Sequence, residues 1–136
     1  MKMKDKITPA GVHIVNGVMG IGKPCEAGDR VDIHYTGYTE NGDVFDSSIG
    51  RDPFSFVLGS NKVIKGWEDG IVGLQVGTKC TLIIPSELGY GSRSMGKIPA
   101  NAILIFDIEV KKIVKNVKEK LNEEIRKKQE QLREKI

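Results

Sequence analysis

Between Val31 and Thr36 apolar and polar side chains alternate, with Val31, Ile33 and Tyr35 against Asp32, His34 and Thr36; this period of two predicts a half-buried strand over 31–39. Asn41-Gly42 follows as a hairpin signal, because both residues tolerate the positive φ of a type I′ turn, and Val44 and Phe45 begin the return strand. Further strands are predicted over 12–18 and from Phe54 to Leu58. Thr78 to Pro85 (TKCTLIIP) and Ala102 to Val110 (AILIFDIEV) are the two longest apolar candidates. Only between Leu58 and Thr78 does the body change period: Ile64, Trp67, Ile71 and Leu74 recur at threes and fours. That helix is short, since Gly66, Gly70, Gly73 and Gly77 crowd it. Five or six strands at hairpin spacing with one brief helix predict an α+β fold, a curved antiparallel sheet wrapped around the helix with Trp67 between them. Residues 86–101 (SELGYGSRSMGKIPAN) form a loop too long for a mere connector, the kind that carries function on a rigid sheet.

From Ile113 the pattern changes again. Val117, Leu121, Ile125, Leu132 and Ile136 recur at fours and a seven, with no Gly or Pro, which predicts a helix over 113–136 of about 24 residues and roughly 36 Å. The chain therefore divides into a body over 1–112, its core within 12–112, and a charged helical appendage. Glu123 with Lys127 and Glu124 with Lys128 have the favoured i,i+4 order for a solvated helix. Lys128 interrupts the best heptad register, so a homodimeric coiled coil through 114–136, packing back on the body and simple projection are equally open.

At 136 residues the chain is one domain of common size, and 28 Val and Ile against 7 Leu and 4 Ala reinforce the sheet assignment. The net charge of +3 lies entirely in the tail, where eight Lys or Arg face five Glu, while residues 1–112 hold 13 charges of each sign. Tail lysines alternate with glutamates without forming one basic face, so nucleic acid is not an expected partner. No run approaches the ~18 apolar residues of a membrane span, and Met1 to Lys6 has charges with no apolar run behind them; the expectation is a soluble, cytoplasmic protein. Cys25 and Cys80 form no CxxC pair and have no histidine cluster beside them, so no metal site is expected, and two free thiols suit a reducing compartment better than one disulfide. His13 and His34 read as packed or surface histidines.

Gly17 to Lys23 (GVMGIGK) matches the outline of a phosphate loop. Pro24, however, stands where the Mg²⁺-binding hydroxyl belongs, and Ala27-Gly28-Asp29 is a turn where the anion-cradling helix should start. The segment is read as a glycine-rich turn. There is no GxSxG, and neither cysteine has a base partner nearby, so nucleophilic catalysis finds no support.

Of the chain's eight aromatics, five sit in distinctive phrases: His34-Tyr35-Thr36-Gly37, Val44-Phe45-Asp46-Ser47-Ser48, Val63-Ile64-Lys65-Gly66-Trp67-Glu68, Tyr90-Gly91 and Ile105-Phe106-Asp107. In order and spacing, these five motifs over residues 12–113 resemble the FKBP family of macrolide-binding peptidyl-prolyl isomerases. The resemblance implies a sheet wrapped on one helix and a hydrophobic cleft that needs no cofactor. It implies Trp67 as the cleft floor, Tyr35, Phe45, Val63, Ile64 and Phe106 as walls, and Phe54 alongside; Phe56 reads as ordinary core. Tyr90 matches a tyrosine whose hydroxyl bonds a ligand carbonyl, Asp46 a carboxylate at the cleft, the Ile64 N–H a further donor, and Ile98 an apolar loop contact. Arg51 is implied as a partner of Asp46. The sequence departs from the family at Lys62, where an acidic or amide residue is common, and at the tip from Arg93 to Lys97.

The function so implied is isomerisation of Xaa-Pro bonds in polypeptides, with binding of macrolides such as rapamycin or tacrolimus in the same cleft. The competing reading is a non-catalytic client-binding or chaperone module assembled through the C-terminal helix.

Overall fold

The computed structural model describes residues 1–135, the side chains of Glu119 and Lys120 excepted. Its strands are β1 (Lys6–Ile7), β2 (His13–Val18), β3 (Arg30–Thr39), β4 (Val44–Ser47), β5 (Phe54–Val57), β6 (Lys79–Ile84) and β7 (Leu104–Val114), and its α-helices are α1 (Lys65–Ile71) and α2 (Val117–Glu134). All paired strands are antiparallel, in the order β1-β2-β6-β7-β3-β4, while β5 pairs with the first half of β3 on the same edge as β4. Successive side chains of each strand point to opposite faces, and the buried ones mark which side of this sheet is dry. Val31 and Ile33 of β3, Leu82 and Ile84 of β6, and Leu104, Phe106, Ile108 and Val110 of β7 are buried on the concave side. Trp67 and Ile71 of α1 close that side. The helix lies so near the sheet that a Cβ on Gly66 would stand 2.4 Å from Ile84 Cγ2, which explains a glycine inside a helix despite its cost of about 1 kcal/mol.

The anticipated strands are all present, and β1 adds a seventh, too short for any period to show, by pairing Lys6 with Ile14 and Ile7 with His13. At the hairpin only Gly42 takes positive φ (87°), so the turn is not type I′. Gly42 N–H donates to Thr39 O and Thr39 N–H to Asp43 O, the three-residue loop that ends in a left-handed glycine. The phosphate-loop outline is a crossover: Gly20 N–H donates to Thr78 Oγ1 and Ile21 N–H to Val76 O.

The helical pattern expected from Ile113 begins at Val117. Ile113 and Val114 are β-branched and extend β7, opposite Val31 and Arg30. The switch to helix is held by buried Asp29, whose carboxylate accepts from Lys115 Nζ (2.6 Å) and Asn116 N–H (2.9 Å). Beyond it α2 leaves the body, with Val117, Leu121, Ile125 and Leu132 between 47% and 68% exposed. Ile136, the last residue of that stripe, lies outside the described residues.

Candidate active site

A cavity of about 440 Å³ opens between α1, the inner face of β3 and β7, and the loops after β5 and β6. Its lining includes Tyr35, Phe45, Asp46, Phe54, Val63, Ile64, Trp67, Tyr90 and Phe106, which are separated by up to 71 positions in the chain and are brought together by the sheet order. Trp67 is 5% exposed and projects from α1 toward β3 and β7. Around it the rings stand edge to face: Tyr35 at 5.0 Å and 77°, Phe106 at 5.3 Å and 84°, Phe54 at 5.8 Å and 79°. Phe45 packs on Phe106 in the same manner, at 5.5 Å and 89°. Such perpendicular contacts match the positive edge of one ring to the negative face of the next, adding about 0.5–1.5 kcal/mol each to burial. Gly37 makes room for this cluster, since a Cβ there would lie 2.5 Å from Phe45 Cζ and 2.8 Å from Phe106 Cε1.

One edge of the cavity is polar. Tyr35 Oη donates to Asp46 Oδ2 (2.5 Å), and Asp46 Oδ1 accepts from Ser47 N–H (2.9 Å) and Arg51 Nη2 (3.2 Å). Arg51 also donates to Ser47 O, so its head is fixed at two points without entering the cavity wall. Burial, followed by the Asp46 carboxylate, pushes the Tyr35 hydroxyl up to about 12. Tyr35 therefore stays protonated and donating through the physiological range. The Ile64 N–H at the opening of α1 has no hydrogen-bond partner among the described residues, and Ile64 provides no side-chain cap.

Ile98 and Phe56 fall outside the cavity lining. Ile98 is 6% exposed, bridged to Met95 in the loop that carries Tyr90, and Phe56 packs behind Trp67 at 5.9 Å. Asn61 and Lys62 do line the cavity. Asn61 lies in a turn with positive φ (60°), where no periodicity marks a residue's direction; an Asn, which tolerates that conformation, is the only signal. Neither cysteine reaches the cavity. Burial raises both thiols, Cys80 to about 11, which leaves them poor nucleophiles. Among the described residues no cluster of His, Cys, Asp or Glu is arranged to hold a metal ion. The cavity thus offers an apolar floor and walls, one fixed hydroxyl–carboxylate pair, an open backbone donor, the Tyr90 hydroxyl and, at Asn61 and Lys62, a polar mouth, a set suited to gripping an uncharged ring and the carbonyls beside it.

Residues 22–111 match the model of the family described as FKBP-type peptidyl-prolyl cis-trans isomerase. FK506-binding protein 2 of Candida glabrata is 55% identical over 92 residues, covering 65% of this chain and 68% of the relative. FK506-binding protein 4 of Neurospora crassa is 43% identical over 118 residues, which cover 82% of this chain and 25% of the relative, so the chain spans about a quarter of that protein's length. The structure titled "Crystal structure of AtFKBP13" superposes with a TM-score of 0.71 at 40% identity, over 79% of this chain and 97% of that one. By family-model match, sequence identity and fold together, the chain belongs to the FKBP-type peptidyl-prolyl cis-trans isomerase family.

Proposed function

We propose that this chain catalyses cis-trans isomerisation of Xaa-Pro peptide bonds in the aromatic cavity, and that macrolides such as rapamycin and tacrolimus occupy the same cavity and block it. The observation that carries the proposal is the position of Trp67, a floor ringed edge-on by Tyr35, Phe54 and Phe106 within a cavity of about 440 Å³. A prolyl ring fits such a floor by shape and polarity.

The chemistry asked of the cavity is modest in kind. Rotation about the amide passes through a twisted state that loses resonance and, with it, the charge separation between oxygen and nitrogen, against a barrier near ~20 kcal/mol. No bond breaks, and no proton has to move. An environment that binds the twisted amide better than either planar form accelerates the rotation, and a dry aromatic wall favours the less polar state. In this reading Trp67, Phe106, Phe45 and Phe54 supply the wall, with Val63 and Ile64 beside them. The Ile64 N–H and the Tyr90 hydroxyl hold carbonyls on either side of the proline, while buried Ile98, bridged to Met95, helps fix the loop that carries Tyr90. Tyr35 and Asp46, tied together and anchored by Arg51, keep the polar edge fixed so that no water-like reorganisation accompanies the rotation.

The body through residue 112 is proposed as the isomerase unit, with the C-terminal helix as an appendage. A cytoplasmic location is proposed on the support of two buried free thiols, Cys25 and Cys80; among the described residues no helix is long and apolar enough to cross a membrane. The test is refolding of a protein whose slow phase is a prolyl isomerisation. Catalytic amounts of this chain are expected to shorten that phase, and an unchanged phase at stoichiometric chain would refute the proposal.

A further inference from the structure

Two charged residues, Asp46 and Lys62, line the cavity, and their situations differ. Asp46 is neutralised in place by Arg51, 3.2 Å away, and further satisfied by Tyr35 and Ser47. Lys62 is exposed, lines the cavity between Asn61 and Val63, and forms no ion pair among the described residues. The left-handed backbone at Asn61 (φ 60°) fixes the turn from which Lys62 departs, and α1 begins at Lys65, directly after the cavity residues Val63 and Ile64. The result is a cavity whose floor is apolar and whose rim carries one uncompensated positive charge.

We infer that Lys62 makes this site selective for proline segments with an acidic residue flanking the proline. The inference rests on the isomerase reading and names the substrate class of that site. A glutamate or aspartate carried to the rim by a bound prolyl ring meets an ammonium with no competing partner. It also meets an Asp46 carboxylate whose repulsion is already offset by Arg51. A lysine at the same place in the substrate meets like charge. Exposed ion pairs change an equilibrium constant by about two- to fivefold, and attraction with acid plus repulsion with base add in the ratio between the two peptides. Because the rim is open to solvent, this preference is screened by salt.

The experiment uses peptides of the form Ala-Xaa-Pro-Phe-Zaa in which Xaa or Zaa is Glu, Gln or Lys, with catalysed cis-trans exchange followed by NMR. For the wild-type chain, exchange of the Glu peptides is expected to exceed that of the matching Lys peptides by threefold or more at one flank, with Gln between. The ratio should fall toward one in 0.5 M NaCl. Lys62→Glu should invert the order and Lys62→Gln flatten it. Equal acceleration of all peptides, with the same Glu-to-Lys ratio in wild type and Lys62→Glu, would overturn this inference while leaving the isomerase reading intact. Failure to accelerate any peptide would overturn both.

Discussion

Replacing Trp67 by alanine removes the largest side chain of the core and the floor of the cavity in one step. The indole is 5% exposed and is touched by four rings, those of Tyr35, Phe54, Phe56 and Phe106, with centroids between 5.0 and 5.9 Å. Truncation of a buried Phe or Trp costs about 3–5 kcal/mol, through lost transfer free energy and the void left behind. The indole borders an existing cavity, so the walls on that side can relax, and the cost should fall near the lower end, about 3 kcal/mol. Against a total of about 5–15 kcal/mol for a domain of this kind, that is a large share. Urea unfolding followed by far-UV circular dichroism measures it, since Trp67 is the chain's only tryptophan and its fluorescence is lost with it. Trp67→Phe keeps an aromatic floor and should recover more than half of the stability and part of the isomerase activity. A loss below 1 kcal/mol in the alanine variant, or full activity in it, would refute the placement of this ring at the centre of both core and site.

Asp29→Asn should destabilise the chain by about 2 kcal/mol, because the carboxylate accepts from Lys115 Nζ, Asn116 N–H and Glu26 N–H in a buried position. Burial raises the Asp29 carboxyl, but the Lys115 ammonium and the backbone donors outweigh it and hold it below the usual carboxylate range. Its contribution is therefore present above about pH 4 and lost as pH falls through the lowered value, so acid unfolding of wild type and Asp29→Asn should converge at low pH. Asp46→Val and Tyr35→Phe should each lower isomerase activity severalfold with less than about 1.5 kcal/mol lost in stability, since the 2.5 Å bond they share lies at an exposed edge. Activity should be flat from pH 6 to 9, because the Tyr35 hydroxyl is pushed up to about 12 and no proton moves in the reaction; a bell-shaped profile would contradict that. Sedimentation of the full chain tests the dimer reading of α2, whose apolar stripe faces solvent: a concentration-independent monomer would exclude it.

Much of this architecture is legible in the sequence because the sheet has one dry side. Val31, Ile33 and Tyr35 alternate with polar residues in β3, and the strands beside it, β7 and then β6, stand out as the two longest apolar runs; both signals survive any detail of the turns. The candidate site is legible for a different reason: its aromatics sit in short phrases such as Val63-Ile64-Lys65-Gly66-Trp67, whose order resembles a known family, whereas nothing in spacing alone brings Tyr35 to Trp67. The features without a sequence signal are local. β1 is two residues long and made by pairing, not by pattern. The Asn41-Gly42 turn adopts a glycine-terminated form because the register shift between Gly37 and Tyr38 leaves three residues to connect. β7 runs on to Val114 because β3 offers Arg30 and Val31 as partners and buried Asp29 sets the point where the backbone turns to helix. A helical stripe beginning near 113 cannot announce such a partner 86 positions upstream.

In the proposed mechanism the ring of aromatics around Trp67 lowers the barrier to prolyl rotation. The most direct measurement is exchange spectroscopy on a Leu-Pro-Phe peptide, alone, with the chain, and with the chain plus excess rapamycin. Cis-trans exchange is expected to be accelerated by the chain and returned to the uncatalysed rate by the macrolide. Exchange as slow with the chain as without it, at concentrations where the peptide is bound, would contradict it.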